Sequence, residues 1–300
     1  MKFESVNTTV LSLRSMSTVS AVVLTTGNRV RELNSALNSL VEASISNLDV
    51  VWNSSKPPVD FEHGVFAQPP SLLQPGGNLG IAGGRNFGIF RQQSEFVLCL
   101  DDDAVLLSTD IQDSAITHFR TNPRCAVIAM RIVDERDSTL RRHNPRFGTT
   151  GVHRSGAVGT FLGGACIIRL SAFVDVGGYN ADFFYSMEEQ DLTWRLYSAG
   201  WNVYYLPDLK VYHPHTSPNR HTSALEQTWT NRCKSARMSL PSLLIPPYLL
   251  LHGVRSLRMG LKLSNLFAGL KIFIERMPER QPLKWRHVWI LSKAGRPPII

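Results

Sequence analysis

Phe96-Val-Leu-Cys-Leu-Asp-Asp-Asp-Ala-Val-Leu106 decides how this chain is read, because five apolar residues run straight into three adjacent carboxylates. An apolar run of that length, bounded by charge, predicts a strand buried on both faces. In open α/β sheets ligands gather at the carboxyl ends of such strands, so the carboxylates are expected at a sheet rim. Three neighbouring negative charges raise one another's pKa unless a cation or hydrogen-bond donors offset them. A hard divalent ion such as Mg²⁺ or Mn²⁺ does so, since it takes oxygen ligands and is usually held by one or two carboxylates plus phosphates. The triplet alone equally suits a solvated acidic turn, and the surrounding sequence has to decide.

Upstream, Val19-Ser-Ala-Val-Val-Leu-Thr25 is a β-branched run closed by Thr26-Gly27-Asn28. Residues Arg29 to Glu42 then carry Val30, Leu33, Leu37, Leu40 and Val41 at helical spacing, and Leu48 to Trp52 returns to a strand pattern. A β-α-β start implies a parallel sheet with a right-handed crossover. A proline-rich connection leads to Gly76-Gly-Asn-Leu-Gly-Ile-Ala-Gly-Gly-Arg-Asn-Phe-Gly88, six glycines in thirteen residues. Such density lets backbone approach a ligand closely, and a following helix start offers free N–H groups to an anion. Its place directly before the acidic strand predicts a wall of the same site, with Asn78 and Arg85 as polar contacts.

Downstream, a helix is expected over Ile111–Phe119 and a strand over Cys125–Ile132, followed by a polar segment, Asp134 to Gly159, near the substrate. Gly163 and Gly164 precede the strand pattern ending at Ile168, where small residues leave room for a ligand. The second acidic group is Phe183-Phe-Tyr-Ser-Met-Glu-Glu-Gln-Asp-Leu-Thr-Trp-Arg195, a helix start with three carboxylates in its first turn. Ser186 and Glu189 have capping-box spacing, and Asp191 and Arg195 can pair four apart, so each has a structural reading beside a chemical one. Glu188 has no such competing reading. A carboxylate there could act as a general base on a hydroxyl, and spacing alone does not separate Glu188 from Glu189. Two strands are expected over 201–206 and 210–213, and His213 at the end of the second could give a nitrogen to a metal.

Composition bounds the rest. The 300 residues are 43% hydrophobic, enough for one large α/β domain with an appendage. Four cysteines without paired spacing suit a reducing, cytoplasmic setting and predict neither a disulfide framework nor a zinc site. Residues 1–18 read as a loose extension without the apolar core of a secretory signal. Residues 220–300 hold 14 Lys and Arg against 3 Asp and Glu, so they carry +11 of a net +8, leaving −3 for residues 1–219. Basicity confined to a tail, without aromatic platforms over the folded body, argues against nucleic acid as a partner. Leu257, Leu261, Leu266, Leu270 and Phe273 recur at about helical spacing among those bases. The tail thus reads as a basic amphipathic helical region that lies on an anionic membrane surface or packs on the body with its charges solvated.

Four motifs in one order resemble glycosyltransferase family 2, over roughly residues 19 to 215. They are Val22-Val-Leu-Thr-Thr-Gly-Asn-Arg29, the glycine segment, the aspartate triplet, and Glu-Glu-Gln-Asp-Leu192 with the later Val-Tyr-His213. The resemblance implies a GT-A fold: a Rossmann-like, mostly parallel central sheet with helices on both faces, spanning residues 19–219. It implies an inverting enzyme that moves a sugar from a UDP- or dTDP-sugar to the hydroxyl of a glycan, lipid-linked sugar or small molecule, with Mg²⁺ or Mn²⁺ as cofactor. Carried over by position, Asp103, Asp101 and His213 would hold the metal. Thr25, Asn28, Arg29, Asn53, Asn78, Gly80, Gly84, Arg85, Asp101 and Asp102 would face the donor, and Gly163, Gly164 and Trp194 the acceptor. The base would fall on Glu189 or Glu188, with Asp191 beside them; Glu189 matches the family position but replaces its usual aspartate. Trp52 stands where many members have an aspartate contacting the nucleoside. The competing readings are a non-catalytic GT-A-like nucleotide- or glycan-binding module and a nucleotidyltransferase. The second would want a basic triphosphate-gripping loop after the first strand, where this chain has one Arg and no Lys.

Overall fold

A computed structural model describes residues 19–58, 69–148, 150–213, 222–275 and 280–300. The expected extension over residues 1–18 and the expected boundary at 219 and 220 lie outside them. In chain order the elements are β1 (Val19–Thr25), α1 (Val30–Glu42), β2 (Leu48–Trp52), β3 (Ser71–Leu73), α2 (Gly80–Ile89), β4 (Phe96–Asp101), β5 (Val105–Leu106), α3 (Ile111–Thr121) and β6 (Cys125–Val133). They continue with β7 (Gly156–Ala157), β8 (Ala165–Arg169), α4 (Leu170–Asp175), α5 (Glu188–Ser198), β9 (Asn202–Tyr212), α6 (Thr222–Ser239), α7 (Ile245–Arg258), α8 (Leu263–Leu270) and α9 (Trp285–Lys293).

The strands form one sheet in the order β3-β2-β1-β4-β8-β6-β9-β5, with β7 also on β9. The run β3-β2-β1-β4 is parallel, β8 is inserted antiparallel between β4 and β6, and β6 pairs parallel with β9. Strand β4 is the expected buried strand: Phe96, Leu98 and Leu100 face a core built with α1 and α3, while Val97 and Cys99 face the core on the other side. Both faces are therefore covered by helices, and each fully buried large apolar side chain stabilises the fold by about 1.5–3 kcal/mol. The two strands expected between 201 and 213 are one, because β9 stays paired with β6 across an irregularity where Leu206 opposes Met130 and Lys210 opposes Arg131. Pro207, which has no N–H to give a ladder, falls in that bulge.

The glycine segment is mostly helix. Gly84 and Gly88 sit where a Cβ would come within 2.6 Å of Leu24 and Val22, so their absence of side chain lets α2 settle directly on the sheet. Downstream, α6, α7 and the residues around α9 bring Ala236, Leu240, Tyr248, Leu283 and Leu291 into the same core as Val97 and Cys99. Of the five-residue apolar stripe read from the tail, Leu261, Leu266, Leu270 and Phe273 turn inward around Trp229 of α6, while Leu257 is exposed. Among the described residues no helix is long and apolar enough to cross a membrane.

Candidate active site

Strand β4 ends at the sheet rim as predicted and delivers the triplet into a cleft of about 720 Å³ lined by both acidic groups. Asp102 turns away from that cleft: it is buried, accepts the Thr25 hydroxyl at 2.6 Å and pairs with Arg29 at 3.6 Å. Burial raises its carboxyl above the ordinary value against the pull of Thr25 and Arg29. Asp101 and Asp103 face inward. Asp103 gives one oxygen to the Arg29 guanidinium, and its other lies 3.3 Å from His213 Nε2. Asp101 accepts Arg85 at 2.9 Å through one oxygen, and its second is 4.0 Å from the same imidazole nitrogen. Ligand atoms of Asp101, Asp103 and His213 lie within 4.8 Å of one another. Two carboxylate oxygens and an imidazole nitrogen, each aspartate braced by an arginine, make a donor set that fits a hard divalent cation.

Arg85 links the two acidic groups. Its side chain is buried, and besides Asp101 it approaches Glu188 at 3.5 Å and Glu189 at 3.4 Å. Burial opposes its charge, yet Asp101, Tyr179, Glu189 and Glu188 outweigh that and hold it above its ordinary value. Gly163 and Gly164 make the arrangement sterically feasible. A Cβ at Gly163 would meet the Arg85 guanidinium at 2.1 Å, and one at Gly164 would meet the Asp101 carboxylate at 2.0 Å. Their backbone also works, since Gly163 N–H donates to Glu189 Oε1 at 3.0 Å and the Gly164 carbonyl accepts from Asp101 N–H at 3.1 Å.

The glutamates are not equivalent. Glu188 is 2% exposed, and its Oε2 has no hydrogen-bond partner. Burial first, and then the charge of Glu189, push its carboxyl well above the ordinary range, with Arg85 only partly offsetting them. Glu189 is more open, with 17% of its side chain exposed. The capping box does not form: α5 has no side-chain cap, because Ser186 and Met187 enter it with left-handed φ of 70° and 75°. Glu189 instead reaches Gly163. Asn231 of α6 holds this entry, donating from Nδ2 to the carbonyls of Tyr185 and Ser186 at 2.9 Å each.

The other predicted residues separate into supports and core. Asn53, at the end of β2, is buried and bonds Gly80 O at 2.9 Å, Leu79 N at 2.8 Å and Asn78 Oδ1 at 3.2 Å, so it and Asn78 shape the turn into α2. Gly80 has φ +74° and packs where a Cβ would strike the Phe184 carbonyl. Asn28 is exposed and bonds Thr26. Trp52 lies under the β1–α1 turn, close enough that a Cβ at Gly27 would meet its ring at 2.1 Å. Asp191 is fully buried and pairs with Arg195 at 2.6 Å; Trp194 is packed in the core; neither lines the cleft.

Sequence reading missed the cleft's basic end. Arg232 on α6, His252 and Arg255 on α7 and Arg296 after α9 line the same cleft. The available signal was that Arg232 and Arg255 have no acidic residue three or four positions away on their helices. Asn231 gave no signal, since an asparagine inside a helical stretch reveals nothing of the loop that it binds.

Residues 96–288 match the family described as Glycosyl transferase family group 2. A curated relative from Mycobacterium tuberculosis, named pre-mycofactocin glycosyltransferase, is 32% identical over 154 residues, covering 47% of this chain and 31% of that protein. The chain thus spans about a third of that relative's length. Among solved structures, S. aureus TarS 1–349 in complex with UDP-GlcNAc aligns with a TM-score of 0.57 at 15% identity, covering 94% of this chain and 88% of that one. A mannosyltransferase from Pyrobaculum calidifontis in complex with GDP-Man and Mn²⁺ aligns with a TM-score of 0.54 at 15% identity, covering 92% and 72%. The fold is accordingly GT-A. With most of its described residues inside the matched range, the chain belongs to glycosyl transferase family group 2.

Proposed function

We propose that this chain transfers a sugar from a nucleotide-diphosphate donor, a UDP- or dTDP-sugar, to an acceptor hydroxyl with inversion. The observation that carries the reading is the convergence of the aspartates, His213 and the glutamate pair on one cleft, with Arg85 between them. Asp101, Asp103 and His213 would hold Mg²⁺ or Mn²⁺, which when bound neutralises charge on the leaving diphosphate. Arg29 and Arg85 brace those aspartates. Glu189 is the base: Gly163 N–H fixes Oε1, which leaves Oε2 to take a hydroxyl proton as the acceptor attacks the face opposite the leaving group. Glu188, buried and with its carboxyl pushed well above the ordinary range chiefly by that burial, is closed off from an incoming hydroxyl.

Free nucleoside diphosphate release from a donor panel tests the transfer, with pyrophosphate marking nucleotidyl transfer and no product marking a binding module. Chelation should abolish release and Mg²⁺ or Mn²⁺ should restore it. Glu189→Gln should lower turnover by about 10²–10⁴-fold, and Glu188→Gln by far less. Equal turnover in the two variants would sink the assignment of the base.

We also propose that the chain works in the cytoplasm, against the inner face of the membrane. Leu250, Val254 and Leu257 recur along one face of α7 and are exposed, as are Leu263 and Phe267 on α8 and Trp285 and Trp289 on α9. Arg258, Lys262, Lys284 and Lys293 stand among them, which supports an anionic bilayer as the surface that they meet. Four buried free thiols support a reducing compartment.

A further inference from the structure

We infer that Arg232, Arg255 and Arg296, gathered around His252, form a subsite for a phosphate or diphosphate group carried by the acceptor. Three separate segments were folded together to make this cluster. Arg232 sits on α6 one residue after Asn231, the side chain that fixes the loop into Glu188, so the cluster adjoins the proposed base. His252 and Arg255 are a turn apart on α7. Arg296 is brought in by the tail: Phe147 N–H donates to Gly295 O at 2.8 Å, and Gly159 lacks the side chain that would meet the Arg296 backbone at 2.9 Å.

The charges are uncompensated. Among the described residues no carboxylate lies within salt-bridge distance of any of the three guanidiniums, although Arg29 and Arg85, which line the same cleft, have five such contacts between them. Arg232 instead donates to the Tyr248 hydroxyl at 3.3 Å and lies 3.4 Å from His252 Nε2. His252 is 2% exposed, and its Nδ1 has no hydrogen-bond partner. Burial and the nearby Arg232 and Arg255 also press the Arg296 guanidinium below its ordinary value. Like charges held together with an unsatisfied imidazole nitrogen beside them cost stability unless an anion joins them.

Guanidinium forks match phosphate oxygens in pairs, and three of them suit a group bearing two or more negative charges better than a single carboxylate. The donor's diphosphate is accounted for by the aspartates and their proposed ion, so this second anion is assigned to the acceptor. The inference rests on the transferase reading only for the word acceptor; the anion site itself requires no turnover.

The test is therefore a binding measurement on the full chain, in EDTA and without donor, so that no divalent ion can draw the probe to Asp101 and Asp103. Inorganic diphosphate, geranyl diphosphate and geraniol are titrated by calorimetry. Both diphosphates should bind and geraniol should not. Arg255→Gln, at an exposed position that folding tolerates, should weaken binding by about tenfold, the loss of roughly one charge-assisted contact. Arg296→Gln should do the same, and Arg120→Gln, exposed on α3 and outside the cleft, should leave affinity unchanged. Equal affinity for the two diphosphates would assign the group to a soluble phosphorylated acceptor, and tighter binding of the geranyl ester to a lipid-linked one. No binding of either, or equal loss in Arg120→Gln and Arg255→Gln, would overturn the subsite even if sugar transfer is found.

Discussion

His252 shows at the scale of one residue how the cleft's charge is set. Burial first, and then Arg232 and Arg255, push its imidazole down to about 3 from an ordinary 6.5. The unfolded chain takes up a proton near 6.5 and the folded chain resists until about 3. Stability from this residue is therefore complete above 6.5 and is lost as pH falls through that window, with a slope of about 1.4 kcal/mol per pH unit. Urea unfolding between pH 7.5 and 4.5 measures it: His252→Gln should flatten the acid limb, and parallel curves for the two proteins would refute it. The sequence around His252 shows only Arg255, a turn away on α7, because Arg232 and Arg296 come from α6 and the tail. Asp101, Asp103 and His213, by contrast, were legible, since strand ends at a sheet rim place their side chains by a local rule. Glu188 and Glu189 were legible as a pair; their different burial was not, because it depends on Gly163 and Arg85 from other elements.

At the scale of elements, α5 and its entry decide where the glutamates point. Non-glycine residues at left-handed φ are uncommon, and two in succession need an outside hold. Asn231 supplies it with two hydrogen bonds, and Asn231→Ala should destabilise the fold by about 1–3 kcal/mol while lowering turnover more than donor affinity. Thermal unfolding together with a split of kcat from KM checks this; a lowered melting temperature with unchanged kcat would make Asn231 a packing residue alone. Capping-box spacing misled here because Ser186 is itself left-handed and its backbone is claimed by α6. The glycine segment was read as backbone approaching a ligand with a helix start after it; the helix instead begins inside it at Gly80, and Gly84 and Gly88 let it lie close to β1 and β2. Strands β1 and β2 were readable to the residue and β4 to within one, since buried parallel strands leave nearly continuous apolar runs.

At the scale of the molecule, two groups stand out among the described bases of the tail. One lines the cleft, and the other borders the apolar faces of α7, α8 and α9. If the second rests on a bilayer, the chain should sediment with phosphatidylserine vesicles at low salt and release as salt rises, each engaged base adding about 1 kcal/mol. Trp285→Ala with Trp289→Ala should weaken that binding; undiminished sedimentation would move the contact elsewhere, and none at low salt would dismiss it. Of the two readings open for the stripe in the sequence, packing on the body describes four of its five members, which fold inward on Trp229. Periodicity reveals that a helix has an apolar side and is silent on which neighbour claims it. One last feature joins the scales. A single guanidinium, Arg85, touches an aspartate of the proposed nucleotide grip and both glutamates of the opposite wall. Under the proposed chemistry, retuning the pocket for another sugar nucleotide will therefore also move the carboxylate that is to meet the incoming alcohol, so a designer will find that the two halves of the reaction share one dial.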